Sequence, residues 1–378
     1  MISIYLFCGA AALGLYIVLG YPLLLGLMAR LRPKPILKSR QRKTVSVVIP
    51  AYNGEKFIGT KLKSILDLDY PRELVEILVV SDGSTDRTDS IVQGFGEQRV
   101  RLVRVPHGGK CAALNAAIPQ AGGEILLLTD MRQVVASDSL QPMIDCFADS
   151  SVGAVSGELI ILKGESHDEE DIGLYRRYEN WIRNRLSEVD SIFGATGSIY
   201  ALRRELAVPI PADQLLDDMY LPLAAFFRGY RLIVEPRARA FDYPTNRGTE
   251  FTRKARTLAG NYQILRSYPA LLGPRNRMWL HYASYKLGRL MLPWILVVLL
   301  VSSCFLPVPW KWLMLGGQTA FYGLAAVDPL LPAYFPAKRL SSFAGTFVSL
   351  MLAAAWGLSI FFVPARSLWK ESKVAVNR

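Results

Sequence analysis

Val45-Ser46-Val47-Val48-Ile49-Pro50-Ala51-Tyr52-Asn53 is an apolar run of strand length that stops at a polar turn. Two later stretches read the same way: Ile77-Leu78-Val79-Val80-Ser81-Asp82-Gly83-Ser84-Thr85-Asp86 and Ile125-Leu126-Leu127-Leu128-Thr129-Asp130. Laid side by side in parallel, the three would bring Asn53, Asp82, Asp86 and Asp130 to one edge of a sheet, the edge at which open α/β sheets bind ligands. Carboxylates gathered there repel one another unless something positive lies between them, which points to a divalent cation and a phosphate-bearing ligand. Each run alone is equally a buried strand with an ordinary Asp/Ser turn. The functional reading rests on the three together.

Helical patterns fill the intervals. Apolar residues at Ile58, Leu62, Ile65 and Leu66 form a stripe after Asn53-Gly54, and Ile91, Val92 and Phe95 share one side of a segment that Asp86 can cap. This βαβα rhythm, running to about residue 160, predicts a doubly wound parallel sheet. Past Gly157 it loosens into an acidic stretch (Asp168, Glu169, Glu170, Asp171) and then an amphipathic helix from Leu174. A second amphipathic helix begins near Glu250, with Phe251, Leu258, Tyr262 and Leu265 on one face and Arg253, Lys254 and Arg256 elsewhere on it. A basic helix directly before a spanning segment reads as lying in the bilayer interface; the alternative is a core helix of the soluble domain.

The 378 residues leave room for a membrane region beside the α/β domain. No charge occurs from Met1 to Ala29, from Leu290 to Trp310 or from Leu340 to Ala365, each longer than the roughly 18 apolar residues that suggest a spanning helix. Trp312 to Val327 is shorter and stops at Asp328-Pro329, so the C-terminal region holds two or three spans. The first run is followed, not preceded, by Arg30, Arg32, Lys34, Lys38, Arg40, Arg42 and Lys43, which predicts a retained anchor rather than a cleaved signal, with the basic side in the cytoplasm. These bases supply over half of the net charge of +12, which topology and anionic lipid explain better than nucleic acid does; no nucleic-acid module is recognisable. Four cysteines at no metal-ligand spacing read as small hydrophobes of a reducing compartment.

Taken in order, these motifs resemble the inverting glycosyltransferases of family 2, in the membrane-anchored branch of cellulose, chitin and hyaluronan synthases and related exopolysaccharide enzymes. The resemblance covers about residues 43 to 270 and implies a GT-A-like, Rossmann-type nucleotide-diphospho-sugar transferase domain with transmembrane helices. Pro50, Ala51, Tyr52 and Asn53 match its nucleotide-binding turn, and Asp82 its base- or ribose-binding aspartate, a role suited to a carboxylate that accepts from an imide N–H or a ribose hydroxyl. Gly108-Gly109-Lys110, before Ala112-Ala113-Leu114-Asn115, matches a segment that presents Lys110 to a diphosphate; alone, the glycine pair is a turn. Asp130 falls where the family places the first residue of its metal-binding Asp-x-Asp, so that a magnesium or manganese ion is implied, with Arg132 in place of the second aspartate.

Leu216-Asp217-Asp218-Met219-Tyr220-Leu221 matches the motif that carries the general base, which aligns with Asp218 beside Asp217; the alternative is an acidic first helical turn. Gly194-Ala195-Thr196-Gly197, leading to Arg203-Arg204, matches the acceptor side. Where processive members carry Gln-x-x-Arg-Trp, this chain has Arg253-Lys254-Ala255-Arg256-Thr257, which keeps Arg253 and Arg256 as phosphate-facing cations and lacks the indole on which an acceptor sugar stacks.

The expected organisation is an anchor at 1–29, a basic linker at 30–43, a cytoplasmic catalytic domain at 44–250, interfacial helices at 251–288, a membrane region at 289–365 and a basic tail at 366–378. The expected activity is inverting transfer of a hexose or N-acetylhexosamine from a nucleotide diphosphate sugar, a UDP-sugar by the resemblance, to a polysaccharide or lipid-linked acceptor at the inner membrane. A non-catalytic subunit of a polysaccharide synthase is the reading from another class. A transporter fits less well, since Asp328, at a segment end, is the one acidic residue among the candidate spans.

Overall fold

The three apolar runs are neighbouring strands. The computed structural model describes residues 1–162, 167–243, 247–332, 335–336 and 338–365. β1 (Val45–Ala51) and β2 (Val75–Asp82) pair in parallel, β2 pairs in parallel with β3 (Val100–Val105), and β1 pairs in parallel on its other side with β4 (Ile125–Leu128). Both faces of β1 and β4 are covered, which is why their sequences are continuous rather than alternating apolar runs.

The rest of the sheet departs from the parallel expectation. β5 (Val134–Val135), β6 (Val152–Ile161), β7 (Tyr200–Arg203) and β8 (Arg231–Asp242) complete an eight-stranded sheet in the order β3-β2-β1-β4-β7-β6-β8-β5. β7 is antiparallel to both β4 and β6, β6 and β8 are parallel, and β5 is antiparallel to β8, so the sheet is mixed. Sequence periodicity gives these strands little signal. β5 and β7 are two and four residues long, and β8 is interrupted by the polar Glu235, Arg237 and Arg239.

The helices are α1 (Ile2–Leu15), α2 (Tyr21–Leu31), α3 (Ile58–Leu66), α4 (Thr88–Gln93), α5 (Lys110–Ala117), α6 (Leu140–Cys146), α7 (His167–Val189), α8 (Asp217–Phe227), α9 (Arg247–Ser267), α10 (Trp279–Tyr282), α11 (Gly288–Ser303), α12 (Trp310–Val327) and α13 (Lys338–Gly357). The α3 stripe is real: Ile58, Leu62 and Ile65 are at most 2 % exposed and share a core with Val45, Val47 and Ile49 of β1. Each such side chain stabilises the fold by about 1.5–3 kcal/mol relative to an exposed one. The acidic stretch at 168–171 is helical backbone at the start of α7 rather than a connector before it.

The chain divides into two compact units. The unit formed by Ala29–Leu162 and Asn180–Tyr243 contains the whole sheet. Its basic linker follows an extended path held by ion pairs: Lys34 to Asp190 at 2.8 Å, Lys38 to Glu235 at 2.7 Å and Lys43 to Glu124 at 2.8 Å. Three of the seven bases read as serving topology and lipid are therefore tied to this unit itself. The Leu37 and Gln41 amides donate to Asp149 and Asp145.

The other unit comprises Met1–Met28, Lys163–Glu179 and Pro244–Arg378. Helices at Ile2–Leu31, whose residues up to Met28 belong to this unit, and at Trp279–Ser303 and Lys338–Phe361 are long and apolar enough to cross a membrane; α12 is not among them. Ile17 packs against Leu292 and Ile295, and a Cβ on Gly357 of α13 would lie 2.9 Å from the Ala259 amide of α9, so α9 is seated closely on an apolar helix. Cys8 and Cys304 are exposed, and Cys111 and Cys146 are buried free thiols. The basic tail at 366–378 lies outside the described residues.

Candidate active site

The β1 and β2 turns are built on each other. Asn53 takes a left-handed conformation at φ 46°, its side-chain Oδ1 accepts from the Thr85 amide at 2.8 Å, and its own amide donates to Ser84 Oγ at 3.2 Å. Asp86 accepts from the Glu55 amide at 3.0 Å and from the Thr88 amide at 2.9 Å. Those bonds to its charged form outweigh partial burial and hold its carboxyl below the usual range. Asn53 and Asp86 thus brace the loops. The turn leaves Tyr52, just past the end of β1, with its ring stacked on His107 at 4.3 Å between centroids.

Asp82 is 3 % exposed, and both its oxygens are engaged: Oδ1 accepts from the Gly108 amide at 2.7 Å and Oδ2 from the Gly109 amide at 2.9 Å, with His107 Nδ1 also 3.0 Å from Oδ2. The carboxylate read as a base or ribose ligand also clasps the loop that presents Lys110. Gly109, at φ +87°, makes a turn that a side chain would strain, and Lys110 follows as the first residue of α5.

Lys110 Nζ lies 2.7 Å from Asp130 Oδ1 and 3.0 Å from Asp217 Oδ1, joining the end of β4 to the start of α8. Burial alone would lower its pKa, but the three carboxylates of Asp130, Asp217 and Asp218 outweigh it and raise the ammonium well above its ordinary value. Asp218 is pushed up to about 6 by burial and by the Asp217 carboxylate, with Asp130 adding and Lys110 and the Gly197 amide opposing. Asp217 is 5 % exposed and its Oδ2 has no hydrogen-bond partner among the described residues.

The Gly194-Ala195-Thr196-Gly197 segment packs on these carboxylates. The Gly197 amide donates to Asp218 Oδ2 at 3.0 Å, the Ala195 amide donates to the Asp218 carbonyl at 2.7 Å, and the Asp130 amide donates to the Gly197 carbonyl at 3.1 Å. A Cβ on Gly197 would sit 3.1 Å from Asp218 Oδ2 and 3.3 Å from Asp130 Oδ2, so this glycine is the wall between the two. The structure brings Pro50, Ala51, Tyr52, Asn53, Asp82, Lys110, Asp130, Asp217, Asp218 and the 194–197 segment into one unit, whereas Arg253 and Arg256 are residues of α9 in the other.

Arg132 points its guanidinium at Asp242, 2.5 Å away and 2 % exposed, and Gln133 Nε2 also donates to that carboxylate at 2.9 Å. The residue that replaces an expected metal-binding aspartate is thus paired with an acid. No group of three or more metal-ligating side chains occurs among the described residues. What remains is Asp130, whose side chain is 38 % exposed. One accessible carboxylate fits a hard cation whose other ligands are phosphate oxygens and water. Lys61, Tyr200, His107 and Asp242 were not singled out by sequence reasoning. The available signal for Lys61 was a lysine set within the apolar stripe of Ile58, Leu62 and Ile65.

Comparison with known proteins agrees with this architecture. Residues 46–208 match the Glycosyl transferase family 2 model. Beta-monoglucosyldiacylglycerol synthase of Nostoc sp. is 34 % identical over 150 residues, 38 % of this chain and 32 % of that one. Poly-beta-1,6-N-acetyl-D-glucosamine synthase of Staphylococcus aureus is 24 % identical over 247 residues, 62 % of this chain and 58 % of that one. The match thus spans less than two thirds of either relative. Among solved structures, the mannosyltransferase PcManGT from Pyrobaculum calidifontis, in complex with GDP-Man and Mn2+, superposes with a TM-score of 0.70 at 26 % identity, covering 94 % of this chain and 99 % of that one. The fold is the GT-A-like Rossmann type, and residues 46–208 carry a glycosyltransferase family 2 domain.

Proposed function

From a family 2 glycosyltransferase domain with a lysine set among three aspartates, we propose that the chain transfers a sugar, with inversion, from a nucleoside diphosphate sugar to an acceptor hydroxyl at a membrane surface. The observation that carries this reading is the placement of Asp218, pushed up to about 6, beside Lys110 and Asp130. A carboxylate poised near neutrality accepts the acceptor's proton as its oxygen attacks the anomeric carbon. The bond from that carbon to the diphosphate breaks on the opposite side, and the leaving oxygen takes the electron pair. Lys110, fixed by the Asp82 clasp, places its ammonium on the side where that charge develops. A magnesium or manganese ion on Asp130, when bound, neutralises the leaving diphosphate as a Lewis acid.

The resemblance favours a uridine donor; because the PcManGT complex, similar over nearly the whole chain, holds GDP-Man, GDP-mannose is a donor to try beside the UDP-sugars. A lipid-linked acceptor and a single transfer are favoured over polymerisation by Thr257, whose hydroxyl bonds back to the Arg253 carbonyl of its own helix at 3.0 Å where processive members have an indole.

The test is release of nucleoside diphosphate from a panel of UDP- and GDP-sugars by detergent-purified protein with lipid extract and magnesium or manganese, with and without chelator. Asp218→Asn is expected to lower the rate by about 100- to 10,000-fold. A folded Asp218→Asn protein with full activity overturns the assignment of the base. Absence of release with every donor would instead favour a non-catalytic membrane subunit.

A further inference from the structure

Lys61 lies on α3, beneath the site rather than in it, and is 1 % exposed. Its Nζ donates to Thr129 Oγ1 at 2.6 Å and to the Gln133 carbonyl at 2.8 Å. Enclosing an ammonium is costly, and burial lowers the Lys61 pKa to about 7 against the raising effect of the Asp130 carboxylate. An unbranched apolar side chain would fill the same space at no such cost, so the amine is there for its hydrogen bonds.

Those bonds fall at informative places. Thr129 and Gln133 bracket Asp130-Met131-Arg132, so one amine closes both ends of the loop that carries Asp130. The Thr129 hydroxyl in turn donates to the Ser198 carbonyl at 2.5 Å. Ser198 follows Gly197, whose amide holds Asp218 and whose carbonyl holds the Asp130 amide. Lys61, Thr129 and Ser198 therefore form a buried connection under both carboxylates.

We propose that Lys61 is a positioning residue for glycosyl transfer, whose buried amine staples the Asp130 loop at both ends and, through Thr129, the segment that holds Asp218, fixing the two carboxylates relative to each other. This rests on the reading of Asp130 and Asp218 as the diphosphate-side and proton-accepting carboxylates.

The test uses three variants of the full chain, Lys61→Met, Thr129→Val and Thr129→Ser, alongside Asp218→Asn. Two readouts are taken: kcat with donor KM, and hydrogen–deuterium exchange of peptides covering 129–133 and 194–198. Lys61→Met and Thr129→Val are expected to lower kcat by about 100-fold, the loss typical of reacting groups displaced by about 1 Å, with donor KM changing far less. Both should speed exchange in the two peptides and leave the β1 and β2 peptides unchanged. Thr129→Ser keeps the hydroxyl and is expected to restore both readouts.

A folded Lys61→Met protein with kcat within twofold of wild type overturns the proposal. So does a Thr129→Ser protein as impaired as Thr129→Val, or unchanged exchange in both peptides. Should Lys61→Met fail to fold, the two Thr129 variants decide alone. Should wild type show no transfer with any donor, the functional reading falls, and the exchange data still test the staple.

Discussion

Asp217 and Asp218 are consecutive and differently placed. Asp217 holds Lys110, while Asp218 is raised to about 6 by burial and by that same neighbour. A base must be deprotonated to act, so kcat/KM is expected to fall about tenfold per pH unit below about 6 and to level off above it. Asp217→Asn removes the like charge named as the second cause of the rise, so Asp218 should then titrate lower and the acid limb should move to lower pH. A pH–rate profile of the two proteins checks this; a limb that moves upward in Asp217→Asn would contradict the assignment. The identities of the site residues were legible in the sequence, but the directions of their side chains were not. Asp82 was rightly placed at a strand end, yet whether it faces a ligand or clasps Gly108 and Gly109 depends on a loop 26 residues away. Lys61 was hidden because nothing local tells a buried lysine from a solvated one.

Between elements, one buried tie is Arg231, the first residue of β8, 2 % exposed. It donates to the carbonyls of Asp190 at 3.0 Å, Pro35 at 3.3 Å, Lys34 at 2.8 Å and Ser187 at 3.1 Å, and so fastens the linker and the end of α7 to the sheet. Arg231→Met leaves the buried Asp190 carbonyl and three part-buried carbonyls without this donor, and the expected loss is about 1–3 kcal/mol, the cost of an unsatisfied buried acceptor. Denaturant unfolding measures it. Limited trypsin digestion should show faster cleavage at Arg40 and Arg42, and unchanged stability with unchanged cleavage would show the strap to be held by its ion pairs instead. The parallel half of the sheet could be read because continuous apolar runs need both faces covered. The antiparallel half could not, since β7 pairs with β4 and β6 through contacts distant in sequence, and no local period records them.

At the scale of the molecule, charge and hydropathy pull apart: three C-terminal spans would carry the basic tail outside, against the preference of Arg366, Lys370, Lys373 and Arg378 for the cytoplasm. The conflict turned on α12, which has 18 residues and is not among the helices apolar enough to cross. Among the described residues the helices long and apolar enough to cross are Ile2–Leu31, Trp279–Ser303 and Lys338–Phe361; if these are the spans, a cytoplasmic catalytic unit would put the loop between the second and third outside and the tail in the cytoplasm. Lys338 and Arg339 oppose that arrangement, because they place bases at the outer end of the third span. The Lys338 ammonium is paired with Asp328 at 3.0 Å and so carries little weight in orientation, whereas Arg339 beside it is exposed and still counts against the arrangement. We expect, in a protein with Cys8 and Cys304 replaced by alanine, that Phe335→Cys is labelled by an impermeant maleimide in intact cells and that Ser372→Cys is labelled only after lysis. The remaining Cys111 and Cys146 are buried, and burial pushes each up to about 12, so they stay silent toward a thiolate-selective reagent. The reverse pattern, Ser372→Cys labelled from outside and Phe335→Cys protected, would mean that α12 crosses the bilayer despite its composition.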